Sequence, residues 1–336
     1  RAQIADPDVA AKAARGELHR IRPCILCNQA CQVRDARNPI VSCVLEPSSG
    51  HELDDPPVDV LTSAARLDAL VVGGGPAGLE TARVLALRGH RVTLAEQQGE
   101  TGGMLRVAAR GAGRARLGAA IDWLTAECRA LGVVIETGRT VTAEELEATP
   151  TAVVCTGSRP GRHTYATGDG AIVRTAADVF AGVDLPEGPV LVWDPIGGPI
   201  AISVCELLRS SGRDVTLATP DLIAGNELSR SGDLAPANVR LHAAGVVLER
   251  RSILRDVEPG EAVLEDRFTG DRRRVPAAVL IDAGYRLPDD AVWEEAGGRA
   301  LRAGDAVAPR TLLEAILEGR RAAIALELRV PVGARR

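Results

Sequence analysis

The sequence predicts an α/β chain with two parallel-sheet domains, the second nested in the first, behind a cysteine-rich segment. Three observations predict it. A short apolar run at 69–72 leads into a glycine-rich turn and a helix-length stretch, the same order recurs from 190, and four cysteines crowd positions 24–43.

The 336 residues are 46% hydrophobic with a net charge of -5, too apolar and too weakly charged for a disordered chain, and the length suits two domains. Lys12 is the one lysine among 40 basic residues, and no basic block stands out, which argues against a nucleic-acid or anionic-membrane surface. Two Phe, two Tyr and three Trp leave little for stacking bases, so the core falls to Val, Leu, Ile and Ala. No run approaches the length of a membrane span. Seven cysteines, an odd total without a secretory leader, point to a reducing compartment, and the expectation is a cytoplasmic chain.

The chain opens on Arg1, and its first twenty residues lack the apolar periodicity to fold alone. Ile4 to Asp8 reads as a strand end or loop with an Asp-Pro helix entry, followed by a short polar helix up to Gly16. The expectation is a truncated or processed chain whose preceding domain is missing.

The cysteines Cys24, Cys27, Cys31 and Cys43 are spaced C-x2-C-x3-C-x11-C. Thiolate is the soft ligand of iron–sulfur clusters and zinc, and four complete either site. Zinc ribbons use two C-x2-C knuckles, whereas here three cysteines share one tight loop and the fourth stands apart. That asymmetry favours [4Fe-4S] over zinc. His51 reads as a neighbour rather than a ligand. Cys128, Cys155 and Cys205 lie singly in apolar stretches and read as core residues.

From Leu67 the order is strand 69–72, Gly73-x-Gly75-x-x-Gly78, a helix from about Pro76 to Arg88 ended by Gly89, and a strand 92–95 ending at Glu96. A glycine pattern alone is weak; between a strand and a helix, with an acid 18 residues beyond the third glycine, it marks a Rossmann-like nucleotide-binding fold. Gly73 permits the turn, Gly75 the approach of a pyrophosphate to the helix N-terminus, Gly78 close helix–strand packing, and Glu96 accepts ribose hydroxyls. Gly99, Gly102 and Gly103 precede Met104; this second loop exceeds the needs of a single NAD site and suits FAD. A buried strand ends at Thr156-Gly157, and Ala303-Gly304-Asp305 precedes a helix containing Glu314 to Gly319. Asp305 alone reads as an N-cap; with the other features it reads as part of an FAD site scattered along the chain.

The second unit repeats strand 190–193, a helix through Leu208 and strand 215–218, but its turn is Asp194-Pro195-Ile196-Gly197-Gly198-Pro199. Aligned on the strand end, Asp194, Ile196 and Pro199 occupy the fingerprint positions, and no acid ends the second strand. The aspartate repels a pyrophosphate, so the fold is expected without secure NAD(P)H binding. The arginine-rich stretches at 250–255 and 272–274 read as solvated faces. Strand Ala278 to Asp282 is expected to return the chain to the first domain. The expected divisions are 1–22, 23–60 for the cysteine segment and linker, 61–185 with 278–336 for FAD, and 186–277 for the insertion.

The Cys-x2-Cys-Asn-Gln-x-Cys loop, the lone fourth cysteine, the Glu-Pro-x-x-Gly-His-Glu tail and the two nucleotide folds, in this order, resemble the C-terminal half of enzymes related to 2,4-dienoyl-CoA reductase and trimethylamine dehydrogenase. The Trp-Asp-Pro-Ile-Gly-Gly-Pro stretch is most similar to the old-yellow-enzyme-type oxidoreductases associated with mycofactocin. The resemblance implies an FMN-holding barrel (TIM barrel) before Arg1, with Arg1 on the FMN phosphate, and an FAD-dependent oxidoreductase fragment without its own substrate site. It implies Cys24, Cys27, Cys31 and Cys43 on a [4Fe-4S] cluster. It places Gly73, Gly75, Ala77, Gly78, Glu96, Gly103, Met104, Gly157 and Asp305 along FAD. In the reductase branch electrons pass from NAD(P)H to FAD, cluster, FMN and substrate. In the trimethylamine dehydrogenase branch the nucleotide site holds ADP and electrons leave to a partner protein. A zinc- and ADP-binding scaffold without redox activity stays as the contrasting class. The partners expected are the barrel of the same enzyme, an electron-transfer protein and, as a further option, a second copy. No local triad of catalytic residues is suggested, and substrate contacts fall to the missing barrel.

Overall fold

The structure, a computed structural model, describes residues 1–32, 41–55, 58 and 66–329. The expected boundary at 60/61 therefore lies outside the described residues. The chain divides into two compact units: 1–106 with 116–159 and 287–336, and 107–115 with 160–286.

The first unit holds a five-stranded parallel sheet in the order Leu301–Arg302, Ala152–Val154, Asp68–Val72, Arg91–Glu96, Val134–Thr137. Its central strand is buried on both faces, as a parallel sheet between layers requires. Ala69 and Val71 face a core shared with Leu79, Val84 and Ile316, while Leu70 and Val72 pack with Val141, Leu146 and Val154. The helix Pro76–Leu87 starts with proline at its first position and ends before Gly89, whose φ of +85° lets the chain turn back into strand Arg91–Glu96. It packs on the helix Leu312–Arg329 closely enough that a methyl group on Gly319 would overlap the Ala77 carbonyl. At the start of the unit Ala2–Ala5 is one helical turn rather than a strand end, closed by Asp6 accepting N–H bonds and the Lys12 ammonium.

The second unit holds a parallel sheet in the order Val247–Glu249, Val215–Ala218, Val190–Trp193, Val279–Asp282, Val173–Thr175. Val190 and Val192 face the helix Pro199–Ser210, while Leu191 and Trp193 face the antiparallel strands Ser252–Glu258, Gly260–Asp266 and Arg272–Ala277. The strand Val279–Asp282 therefore belongs to this sheet. The expected return of the chain at Ala278 comes after Arg286, because this strand's edges pair with Val190–Trp193 and Val173–Thr175. The same pairing draws Val173–Thr175 and helix Ala176–Ala181 into the second unit, whose longer segment begins at Pro160 rather than 186. Arg272 and Arg274 lie on a solvated strand face and pair with Glu265 and Glu261, while Arg273, on the other face, pairs with Glu249. Cys128, Cys155 and Cys205 are buried, and burial pushes the first two thiols up to about 12.

Within the first unit a buried set of charges fastens the cysteine segment to the sheet's helices. Glu46 takes the guanidiniums of Arg22, two residues before Cys24, and of Arg320 on the C-terminal helix. Arg320 also donates to Glu80 at 3.0 Å, and Glu80 pairs with Arg83 through two bonds of 2.7 and 2.8 Å. Arg22 and Arg83 both stack on the Trp123 ring, at 4.8 and 5.6 Å, and Trp123 donates its indole N–H to the Arg20 carbonyl. Burial works against the Glu80 charge, but Arg83 and then Arg320 outweigh it and bring the carboxyl down to about 2.

Because that depressed value belongs to the folded state, the Glu80 contribution is present above the ordinary carboxylate range and is lost as pH falls toward 2. Glu80→Gln leaves Arg83 and Arg320 buried without a shared carboxylate, and should lower stability by about 3–5 kcal/mol in urea unfolding at neutral pH. The same variant should show a shallower loss of stability on acidification than the parent.

Candidate functional site

All five strands of the first sheet are parallel, so the loops after them share one edge. The strand Asp68–Val72 has Arg91–Glu96 on one side and Ala152–Val154 on the other, which opens a crevice at its carboxyl end. Gly73 has φ +106°, and a side chain there would overlap the Cys155 carbonyl. One on Gly78 would overlap the Gly73 carbonyl, so both positions exclude anything larger. Above Gly75, the N-cap, there is open space, and no side chain caps the helix. The helix N-terminus thus presents its first N–H groups to open space, the arrangement that receives a phosphate.

Glu96 is nearly buried, and each of its oxygens accepts a backbone N–H at 2.7 Å, from Gly74 and Gln98. It braces the glycine turn, a role invisible in the spacing. Gly102 donates to the Gly74 carbonyl at 2.8 Å, which ties the 99–103 loop to the turn and sets Gly103 (φ +50°) beside Gly75 and Met104 partly exposed. The Ala77 side chain lies against Gly304, beside Asp305, and its carbonyl lies against Gly319.

Asp305 does not cap the C-terminal helix. It lies in a 3-10 turn, Gly304–Ala306, and accepts the Ser158 hydroxyl at 2.8 Å and the Arg310 N–H at 3.3 Å. Thr311 and Glu314 bond each other at the helix entry instead. Ser158 follows Gly157 (φ +85°), whose carbonyl accepts the Asp289 N–H. The structure therefore brings Gly73, Gly75, Glu96, Gly157 and Asp305 to one sheet edge; Ser158 and Gly74 join them without a signal in the sequence.

The four cysteines of the first segment line one cavity, together with Arg1 and Asn28. Leu26 and Asn28, on either side of Cys27, both hold left-handed backbone, with φ of 57° and 56°, which bends the loop around the thiols. Burial raises the thiols of Cys27 and Cys43, so ionising them requires a compensating cation. Among the described residues no group of three or more His, Cys, Asp or Glu converges on a single metal ion. Four sulfur donors around a shared space suit a soft multinuclear centre in donor chemistry.

In the second unit the helix Pro199–Ser210 begins like its counterpart, with Gly198 as N-cap followed by proline. Counted from the helix, Gly198 stands where Gly75 does and Ala201 where Gly78 does. The turn is two residues longer, so alignment on the strand end misplaces the fingerprint. The extra length lets Asp194 fold into its own turn, where Oδ1 accepts the N–H groups of Ile196 and Gly197 at 3.2 and 2.8 Å. A carboxylate is thus folded into the turn just ahead of the N-cap Gly198, where its charge disfavours a phosphate. Its Oδ2 is buried without a hydrogen-bond partner among the described residues, and burial, helped by Asp221, raises the carboxyl to about 6.

Two histidines are held by other partners. His90 accepts the Leu67 N–H at Nδ1 and meets Glu327 at 2.9 Å through Nε2, and His163 stacks on Tyr165 with centroids 4.8 Å apart. Among the described residues no helix is long and apolar enough to cross a membrane.

A carboxyl raised on folding weakens the folded state when ionised, and the penalty vanishes once pH falls below its unfolded value. Asp194→Asn should therefore stabilise the protein by about 1–3 kcal/mol at pH 8, with the gain disappearing below about pH 4 in chemical unfolding curves.

Comparison with known proteins agrees with this arrangement. Residues 67–310 match the family model described as pyridine nucleotide-disulphide oxidoreductase. A protein of Rhizobium meliloti named as a probable N-methylproline demethylase is 32% identical over 66% of this chain and 32% of its own length. The N,N-dimethylglycine/sarcosine dehydrogenase of Chromohalobacter salexigens is 30% identical over 87% of this chain and 44% of its own. The structure of histamine dehydrogenase from Rhizobium sp. 4-9 superposes with a TM-score of 0.88 at 26% identity, over 98% of this chain and 52% of that one. The chain thus spans less than half the length of these curated relatives and about half of the solved enzyme. It belongs to the pyridine nucleotide-disulphide oxidoreductases, among the flavoprotein dehydrogenases and reductases related to trimethylamine dehydrogenase and 2,4-dienoyl-CoA reductase.

Proposed function

We propose that this chain is the electron-transfer module of an iron–sulfur flavoprotein oxidoreductase. It relays electrons between FAD and a [4Fe-4S] cluster, to or from FMN in a barrel domain of the same enzyme. The observation that carries this reading is the single cavity lined by Cys24, Cys27, Cys31 and Cys43, in the same folded unit as an open nucleotide cradle.

When bound, the flavin exchanges electrons in pairs and the cluster passes them singly. The chain's own residues supply placement. The uncapped helix behind Gly75 receives the pyrophosphate, and Glu96 keeps lone pairs for ribose hydroxyls while bracing Gly74 and Gln98. Asp305, held by Ser158, lies where the ribityl–pyrophosphate stretch would pass. Arg1 lines the thiol cavity, in keeping with a nearby FMN phosphate. The Arg22–Glu46–Arg320 bonds fix the cysteine segment against the helices of the flavin fold.

A second reading is favoured by Asp194. With a carboxylate folded into the second turn just ahead of the N-cap Gly198, a phosphate would be repelled and NAD(P)H is not the expected donor. Electrons would then be exchanged with a partner protein, as in a scaffold holding ADP in the first nucleotide site.

Acid quenching of anaerobically purified protein should release about one FAD per chain, with about four iron and four acid-labile sulfide. Mixing with NADH or NADPH should leave the flavin absorbance unbleached on the stopped-flow timescale. ADP in place of FAD would select the second reading, and rapid bleaching would refute the plugged turn. Stoichiometric zinc without iron would overturn the electron-transfer function.

A further inference from the structure

Asn28 carries an observation that the loop's conformation does not explain. It follows Cys27 directly, lines the cavity of the four thiols, and holds φ at 56°. Left-handed backbone is a common reason for asparagine at such a position, since it tolerates αL better than other L-residues with a side chain. That reason concerns the backbone alone. The side-chain Oδ1 is buried and has no hydrogen-bond partner among the described residues, an unfavourable state for a carboxamide that could otherwise turn to solvent. Rotation about χ2 exchanges the oxygen for an NH2 group, replacing the unpaired acceptor by a donor group on a residue that lines the cavity. Four of the side chains that line the same cavity are thiols, whose sulfur accepts once ionised.

We propose that the Asn28 carboxamide donates a hydrogen bond to sulfur of the cluster held by Cys24, Cys27, Cys31 and Cys43, and thereby sets its reduction potential. The proposal rests on the cluster reading above. An N–H···S bond stabilises the more negative, reduced state, so it raises the potential. Asn28 is in this sense a positioning and tuning residue, not a ligand.

Two variants separate this from a backbone role. Asn28→Gly supplies the left-handed conformation without a carboxamide. Asn28→Asp keeps the shape, removes both donors and adds a negative charge. Anaerobic potentiometric titration monitored by electron paramagnetic resonance should give a cluster midpoint that falls from parent to Asn28→Gly and falls further in Asn28→Asp, with iron content unchanged in the glycine variant. A parent-like midpoint in Asn28→Gly would overturn the proposal and leave Asn28 a conformational role. Loss of iron from both folded variants would also overturn it, in favour of a role in assembly. A parent protein without iron would instead refute the cluster reading itself, an outcome distinct from either.

Discussion

Three buried guanidiniums, those of Arg22, Arg83 and Arg320, share two carboxylates, Glu46 and Glu80, and this set of charges joins the cysteine segment to the helices behind the glycine turn. Buried ion pairs contribute little net stability, because desolvation offsets their attraction. What they confer is geometry. Each guanidinium has a planar fork and only a few ways to satisfy it, so the segment before Cys24 and the segment after Cys43 meet the Pro76–Leu87 and Leu312–Arg329 helices in one register. An apolar contact would hold these pieces together with more freedom to slide. Arginine is the suitable cation here, being planar and permanently charged, and the chain's near-total preference for it over lysine fits such use.

The two nucleotide turns show how one helix entry serves opposite ends. Both helices open with Gly-Pro after a buried parallel strand, and neither N-cap carries a capping side chain. In the first, three glycines bring the backbone close and leave space above Gly75. In the second, two additional residues give Asp194 room to return its own carboxylate to the turn. The turn ahead of the helix is thereby closed by its own carboxylate, at the expense of an oxygen buried without a hydrogen-bond partner among the described residues and a carboxyl that resists ionisation.

Much of this was legible in the residues. The strand–glycine–helix order located the first sheet's crevice, because hard-sphere overlap at Gly73 and Gly78 leaves no substitute for glycine. The repeated apolar runs located the second sheet. Spacing failed where the deciding contacts are remote in sequence. Arg320 reaches Glu46 and Glu80 across more than two hundred residues, and nothing local marks them as partners. The strand Val279–Asp282 reads the same whichever sheet receives it, and only pairing with Val190–Trp193 decides. Asp305 looks like a helix cap because a helix follows, yet its bond to Ser158 spans the sheet edge instead.

The cysteine cavity and the open cradle belong to one folded unit, and the central claim is that they form one redox module. Anaerobic reductive titration of the 336-residue chain tests it most directly. Flavin and cluster together should take up about three electrons per chain, two at the flavin and one at the cluster, with both chromophores bleaching in the same titration. Uptake of about two electrons confined to the flavin spectrum, or none at all, would contradict it.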